Sequence, residues 1–169
     1  ALTVALVALA APGRNLPAIN DITTDLDDPP TFEAATREPA NRGRDMSYPG
    51  ESFAVQQRRG YPDLGSLRLE SAPAETFDAA LAAAERLGWN VIAQDRERLR
   101  FEAYEITPFF HFVDDVVVRV RRDGAGGSVV DVRSKSRDGK GDLGANAARI
   151  CRLFAELRPA DRAPDPGAR

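Results

Sequence analysis

The most constraining stretch of the chain is Val130-Asp-Val-Arg-Ser-Lys-Ser-Arg137, which passes through a glycine-rich turn into a helical pattern from Leu143 to Leu157. Alternation with period two makes Ser128 to Arg137 a strand. Val130, Val132, Ser134 and Ser136 lie on one face, and Asp131, Arg133, Lys135 and Arg137 lie on the other. Asp142 is placed to cap the helix. The helix carries an apolar stripe of Leu143, Ala147, Ile150, Phe154 and Leu157. Such a strand and helix belong to a layered fold, with the helix lying against one face of a sheet.

The segments upstream extend this pattern. Ser66 to Glu70 alternates, with Leu67 and Leu69 on one side, and predicts a strand. Pro73 and Glu75 suit the first turn of a helix whose stripe is Phe77, Leu81, Ala84 and Leu87, and Gly88 supplies a left-handed stop. Trp89 to Ala93 and Arg98 to Tyr104 predict a hairpin. Phe109 to Phe112 and Val116 to Arg121 continue as a broken strand, and Asp123 to Gly127 turns back into Ser128. The order is strand, helix, four strands, helix. It predicts an α+β, two-layer domain over residues 66–158, an antiparallel sheet with its helices on one face. A groove between sheet and C-terminal helix is a feature to look for.

Both ends differ in kind from this domain. Ala1 to Ala11 is uncharged and apolar, and stops at Pro12-Gly13-Arg14. It is shorter than the roughly 20 residues of a spanning helix. It fits the end of a membrane helix, an apolar signal or anchor segment, or a helix lying on the core; the first of these is favoured for residues 1–14. Residues 15–65 are proline-rich and lack periodicity, yet keep anchors such as Ile19, Ile22, Phe32, Met46 and Tyr61. A disordered linker holds few large apolar residues. This region is therefore expected to be an extended arm packed on the domain, with Phe53 to Gln57 as a short edge strand. Residues 159–169 predict a disordered tail.

Composition removes several classes of function. One cysteine, Cys151, and one histidine, His111, exclude a structural zinc site built from Cys and His. A formal net charge of -3 gives no global drive towards nucleic acid, and the cations lack the interleaved aromatics of a single-strand binder. No phosphate-binding glycine loop and no nucleophile elbow is present. No cofactor is expected, and His111 reads as structural.

Three constellations remain. Asp21, Thr23, Thr24, Asp25, Asp27 and Asp28 form an oxygen-rich segment. Asx and Thr turns pinning the arm are the expectation; a hard cation on Asp25, Asp27 and Asp28 is the alternative. Asp114 and Asp115 are adjacent in a strand, so they face opposite sides and form no shared-proton dyad. An inward carboxylate needs a partner. Arg133, Lys135 and Arg137 either pair with these carboxylates or bind an anion near the helix start at Asp142. Pairing is favoured. Arg149 on the last helix joins the candidates for this network.

Taken together, the segments resemble the family known as domain of unknown function 1499. The resemblance covers roughly Leu16 to Leu157. It rests on Pro17 to Phe32, Tyr61-Pro-Asp-Leu64, Gly88-Trp89, Asp114-Asp115-Val116, Val130 to Arg137 and Asp142 to Ile150. The family often has a histidine just before the Asp-Ile-Thr-Thr-Asp run; here Asn20 takes that place. The resemblance implies a domain placed after membrane helices or a lipoprotein signal, and implies no activity. The expectation is a membrane-tethered, extracytoplasmic, non-enzymatic domain. It would serve as an accessory subunit of a membrane protein complex or bind an anionic or lipidic ligand. A hydrolase using Asp114 or Asp115 with Arg133 and a calcium-stabilised module are the alternatives.

Overall fold

A computed structural model describes residues 16–107 and 111–158. The expectations for residues 1–14, for Phe109 and Phe110 and for the tail 159–169 lie outside the described residues.

The fold is α+β. The strands are β1 (Asp21–Thr23), β2 (Leu67–Leu69), β3 (Asn90–Asp95), β4 (Arg100–Ile106), β5 (Val113–Arg122) and β6 (Ser128–Ser136). The helices are α1 (Glu51–Gly60), α2 (Pro73–Arg86) and α3 (Ala145–Leu157). All strand pairings are antiparallel. β6, β5, β4 and β3 lie side by side, and the outer edge of β6 is shared by two short strands. β2 takes Ser128 to Val130, and β1 takes Arg133 to Lys135. Thr24 closes the gap between them. Its N–H donates to the Val132 carbonyl, and its Oγ1 accepts the Val132 N–H.

From β2 onward the expected order holds. Four elements inside the arm are not expected: β1, two 3-10 turns at Ala35–Arg37 and Pro39–Asn41, and α1 in place of the predicted strand at Phe53 to Gln57. The helix buries Ala54 and Gln57, so it lacks the stripe of large apolar residues that marks a helix in sequence. Gln57 acts as the missing neighbour of β1. Its amide accepts from the Thr23 N–H at 3.1 Å and donates to the Thr23 carbonyl at 2.6 Å.

One sheet face carries α2 and α3. Val116, Val118, Val120, Val130 and Val132 meet Phe77, Ile150, Leu153 and Phe154 there, all nearly inaccessible. Burying such side chains contributes roughly 1.5–3 kcal/mol each. The arm covers the other face. There Phe32, Ala35 and Met46 pack on Val117 as a small second core.

Two boundaries shift. β4 begins at Arg100, because Leu99 adopts φ 51° in the hairpin turn. α3 begins at Ala145, so Leu143 is not part of its buried stripe; it is 90% exposed with φ 51°. Asp142 stops the helix from starting earlier. Its carboxylate accepts the N–H groups of Gly144 and Asn146 at 2.9 and 2.8 Å. Among the described residues, no helix is long and apolar enough to cross a membrane.

Candidate functional site

Strands β5 and β6 carry the predicted candidates Asp114, Asp115, Arg133 and Lys135, and the pleat sorts them. Asp114 pairs with Ser136 and Asp115 with Lys135 in register, so the two carboxylates point to opposite faces.

On the helix face, Asp114 is 2% exposed and accepts from Arg149 at 2.5 Å. Arg149 is itself buried, and its guanidinium also reaches Glu105 at 2.6 Å, Ser134 at 3.0 Å and Asn146 at 2.9 Å. Asn146 bridges onward to Ser136 at 2.9 Å. A polar cluster thus plugs one end of the apolar layer. Each nitrogen of the Arg149 guanidinium has an oxygen to meet, which offsets the cost of burying the charge.

On the arm face, three ion-pair groups engage β6 and Arg137 just beyond it, and Arg100 forms a fourth with Glu33 and with Glu102 of β4. Arg133, 1% exposed, grips Asp21 through Nε and Nη2, each at 2.8 Å, and Lys135 adds a bond at 2.9 Å. Nη2 of Arg133 also donates to the Met46 carbonyl at 3.0 Å, and its guanidinium lies 4.8 Å above the Phe32 ring. Arg137 makes a two-pronged contact with Asp115, at 2.9 and 2.6 Å, while Asn41 donates to the same carboxylate at 2.9 Å. The hydrogen bond to Asp115 raises the pKa of Arg137 further above its already high value. In the third group Asp131, fully buried, receives Arg119 and Arg121 from β5 and the Ser66 hydroxyl. The Asp131 bond likewise raises Arg121.

Asp25 and Asp28 of the acidic segment are consumed in the same way, while Asp27 is exposed. Asp25 Oδ1 accepts the N–H groups of Asp27 and Asp28, and its Oδ2 accepts from Arg119 and Arg121. Asp28 pairs with Arg119 at 2.8 Å. Guanidinium groups stand where a cation would bind. Among the described residues, no group of three or more His, Cys, Asp or Glu is arranged to hold a metal.

These positions bear directly on the hydrolase alternative. Asp114 lies across the sheet from Arg133, and Arg133 is closed on Asp21. Asp115 shares a face with Arg133 but is occupied by Arg137 and Asn41. Cys151 is half-buried on α3, and burial pushes its thiol pKa up, away from the reactive thiolate.

The family model described as "Protein of unknown function (DUF1499)" matches residues 21–157, most of the chain. The chain belongs to this family. No curated protein matches it. Asn20 anchors the turn after β6: its side chain donates to the Gly139 carbonyl at 2.7 Å.

That turn borders a feature the sequence marks only faintly. A cleft of about 180 Å³ opens between the start of β5, the end of β6 and the first turn of α3. Asp114 and Ser136 line it, and Thr107, Phe112 and Leu143 stand around it. Phe112 is 50% exposed and Ile106, the last residue of β4, is 45% exposed. Sequence reasoning placed Leu143 in the core and did not single out Ile106. It also passed over Arg119, Arg121, Gln57, Glu105 and Asn146, although the Val-Arg-Val-Arg alternation of β5 puts both arginines on the face of Asp131, Arg119 directly opposite it and Arg121 opposite Val129.

Proposed function

We propose that this domain is a non-enzymatic, membrane-tethered module on the extracytoplasmic side, acting as an accessory subunit of a membrane protein complex. The observation that carries the reading is the closure of its charged groups. The buried candidates Asp21, Asp114, Asp115, Asp131, Arg133 and Arg149 all sit in ion pairs within the fold. Chemistry needs an accessible group with a perturbed pKa and room for substrate. This arrangement instead produces a rigid body with a defined outline. The apolar run Ala1 to Ala11 supports the tether, and the family resemblance supports its place behind a membrane segment.

Two measurements test this. In cells producing the full chain, the protein should sediment with membranes and resist alkaline carbonate extraction. Replacing Leu2, Val4, Leu6 and Val7 by Ser should release it. After gentle detergent extraction it should migrate in native gels well above the 18.3 kDa of the free chain. A monomeric protein in the aqueous fraction would overturn the reading. Protease added outside intact spheroplasts should digest it if the extracytoplasmic placement is right.

A further inference from the structure

Among the described residues, Ile106, Phe112 and Leu143 are the large hydrophobic side chains left exposed. All three lie at one end of the sheet. Ile106 pairs with Val113 at the close of β4, and Phe112 and Leu143 border the same cleft. Leu143 is presented there at a conformational cost, since a leucine at φ 51° is strained and gains nothing from burial.

The chain enters the fold at this same end. Leu16 packs on the loop that carries Leu143: a Cβ at Gly144 would meet Leu16 Cδ1 at 3.2 Å, and one at Gly141 would meet the Ala18 backbone at 3.2 Å. Ala1 to Ala11 precede this point. The connection from Ala11 to Leu16 spans at most about 17 Å even when fully extended. An apolar segment inserted in a bilayer therefore leashes the Leu143 loop to the bilayer surface.

From this we propose that the end of the domain bearing Ile106, Phe112 and Leu143 is a bilayer-docking face, with Leu143 entering the boundary between headgroups and acyl chains. The inference rests on the tethered reading above and adds the orientation of the domain. Asp138 and Asp142 line the cleft, and Lys140 is exposed between its lining residues Gly139 and Gly141, so the face carries no positive surplus and the contact needs no anionic lipid.

The test uses the full chain reconstituted in phosphatidylcholine vesicles, with and without bromine high in the acyl chains. Leu143→Trp adds a reporter at an exposed position. Ala125→Trp adds one in the β5–β6 turn, about 30 Å away along the strands. Trp89, 4% exposed, is a constant background in both. Both variants should float with the vesicles. Brominated lipid should quench the added emission of Leu143→Trp about threefold more than that of Ala125→Trp, because the docking depth of roughly 5–10 Å reaches the quencher. Equal quenching in chains that float overturns the docking face and leaves the tether standing. Chains that remain in the aqueous phase overturn both. A blue-shifted Leu143→Trp emission without quenching also overturns the proposal, assigning the face to a protein contact.

Discussion

The two faces of the β5–β6 hairpin solve the same problem by different means. On the helix side, Val116, Val118, Val120, Val130 and Val132 are buried against α2 and α3, and charge is confined to the Asp114–Arg149 plug at one end. On the arm side, the same strands present Asp115, Arg119, Arg121, Asp131, Arg133 and Lys135, with only Val117 in the small apolar cluster. Apolar burial is non-directional and tolerates sliding. A lattice of two-pronged guanidinium–carboxylate contacts does not, because each contact demands one geometry. The helix side therefore supplies cohesion, and the arm side supplies register for an extended segment that has little periodic structure of its own. Desolvation consumes much of the Coulomb gain in such pairs, so the pairs hold the arm specifically rather than strongly, and its apolar grip comes from Ile19 and Ile22, buried in the helix-side core.

This contrast is broken most severely at Arg149. In Arg149→Met the Asp114 carboxylate loses its one charged partner while remaining inside the helix-side layer. A loss of about 3–5 kcal/mol is expected, read as a lower urea midpoint for the whole domain. Arg133→Met should cost less, about 2–3 kcal/mol, since Lys135 still faces Asp21. Its effect should also be local. Cleavage by trypsin at the exposed Arg42 and Arg44 should accelerate, while amide exchange in α3 stays slow. If both variants melt the molecule uniformly, arm and helix layer form one cooperative unit and the distinction between the faces is lost.

How much of this is visible without coordinates follows from the same contrast. The helix side is written in periodicity: the alternating valines of β5 and β6 and the spacing of Phe77, Ile150 and Phe154 place sheet and helices directly. The polar outward face of β6 is equally plain, and so is the need for carboxylates opposite it. Which carboxylate meets which cation is not. Asp21 reaches Arg133 across 112 residues, a pairing set by how β1 docks on the edge of β6. That docking depends on Gln57 acting as a surrogate strand, and a glutamine in an arm segment carries no such signal. α1 was read as extended for a related reason, because its buried positions are Ala54 and Gln57. Leu143 fits the heptad-like stripe, but the capping bonds of Asp142 start the helix two residues later and turn the leucine outward.

A smaller test separates pairing from metal binding in the arm. Asp25→Asn keeps the turn acceptor at Oδ1 but removes the charge facing Arg119 and Arg121. The expected loss is about 1 kcal/mol, diminishing at high salt because Arg121 and Asp28 are solvent-accessible. Wild-type melting temperature should not move on adding a strong calcium chelator. A drop of several degrees would show a cation that the guanidinium groups have been wrongly given credit for replacing.

The mildest probe is Tyr48 of the arm, whose ring lies 5.5 Å from the Arg133 guanidinium. Its hydroxyl is buried without a hydrogen-bond partner among the described residues. Burial first, and the nearby Asp21 charge second, push its pKa up to about 12, from the usual 10. A phenol harder to ionise in the folded state stabilises the fold fully below pH 10, and that contribution is lost as pH rises through 12. Tyr48→Phe should therefore leave stability at pH 7 unchanged within about 0.5 kcal/mol, yet flatten the decline in urea midpoint across the alkaline window. Tyr61, at the end of the arm but packed on the helix-side core near the start of α3, is the matching control, also raised to about 12 with burial as the largest cause. If the stretch over the arm-side face opens before the helix layer, as charge pairing with little apolar cohesion there predicts, the Tyr48 phenol will ionise at lower pH than that of Tyr61. Arg133→Met should widen the gap by leaving the Tyr48 pocket accessible to hydroxide. Coincident titration of the two phenols in both backgrounds would mean that the arm is held as firmly as the helices, and that ion pairing alone can do the work of a core.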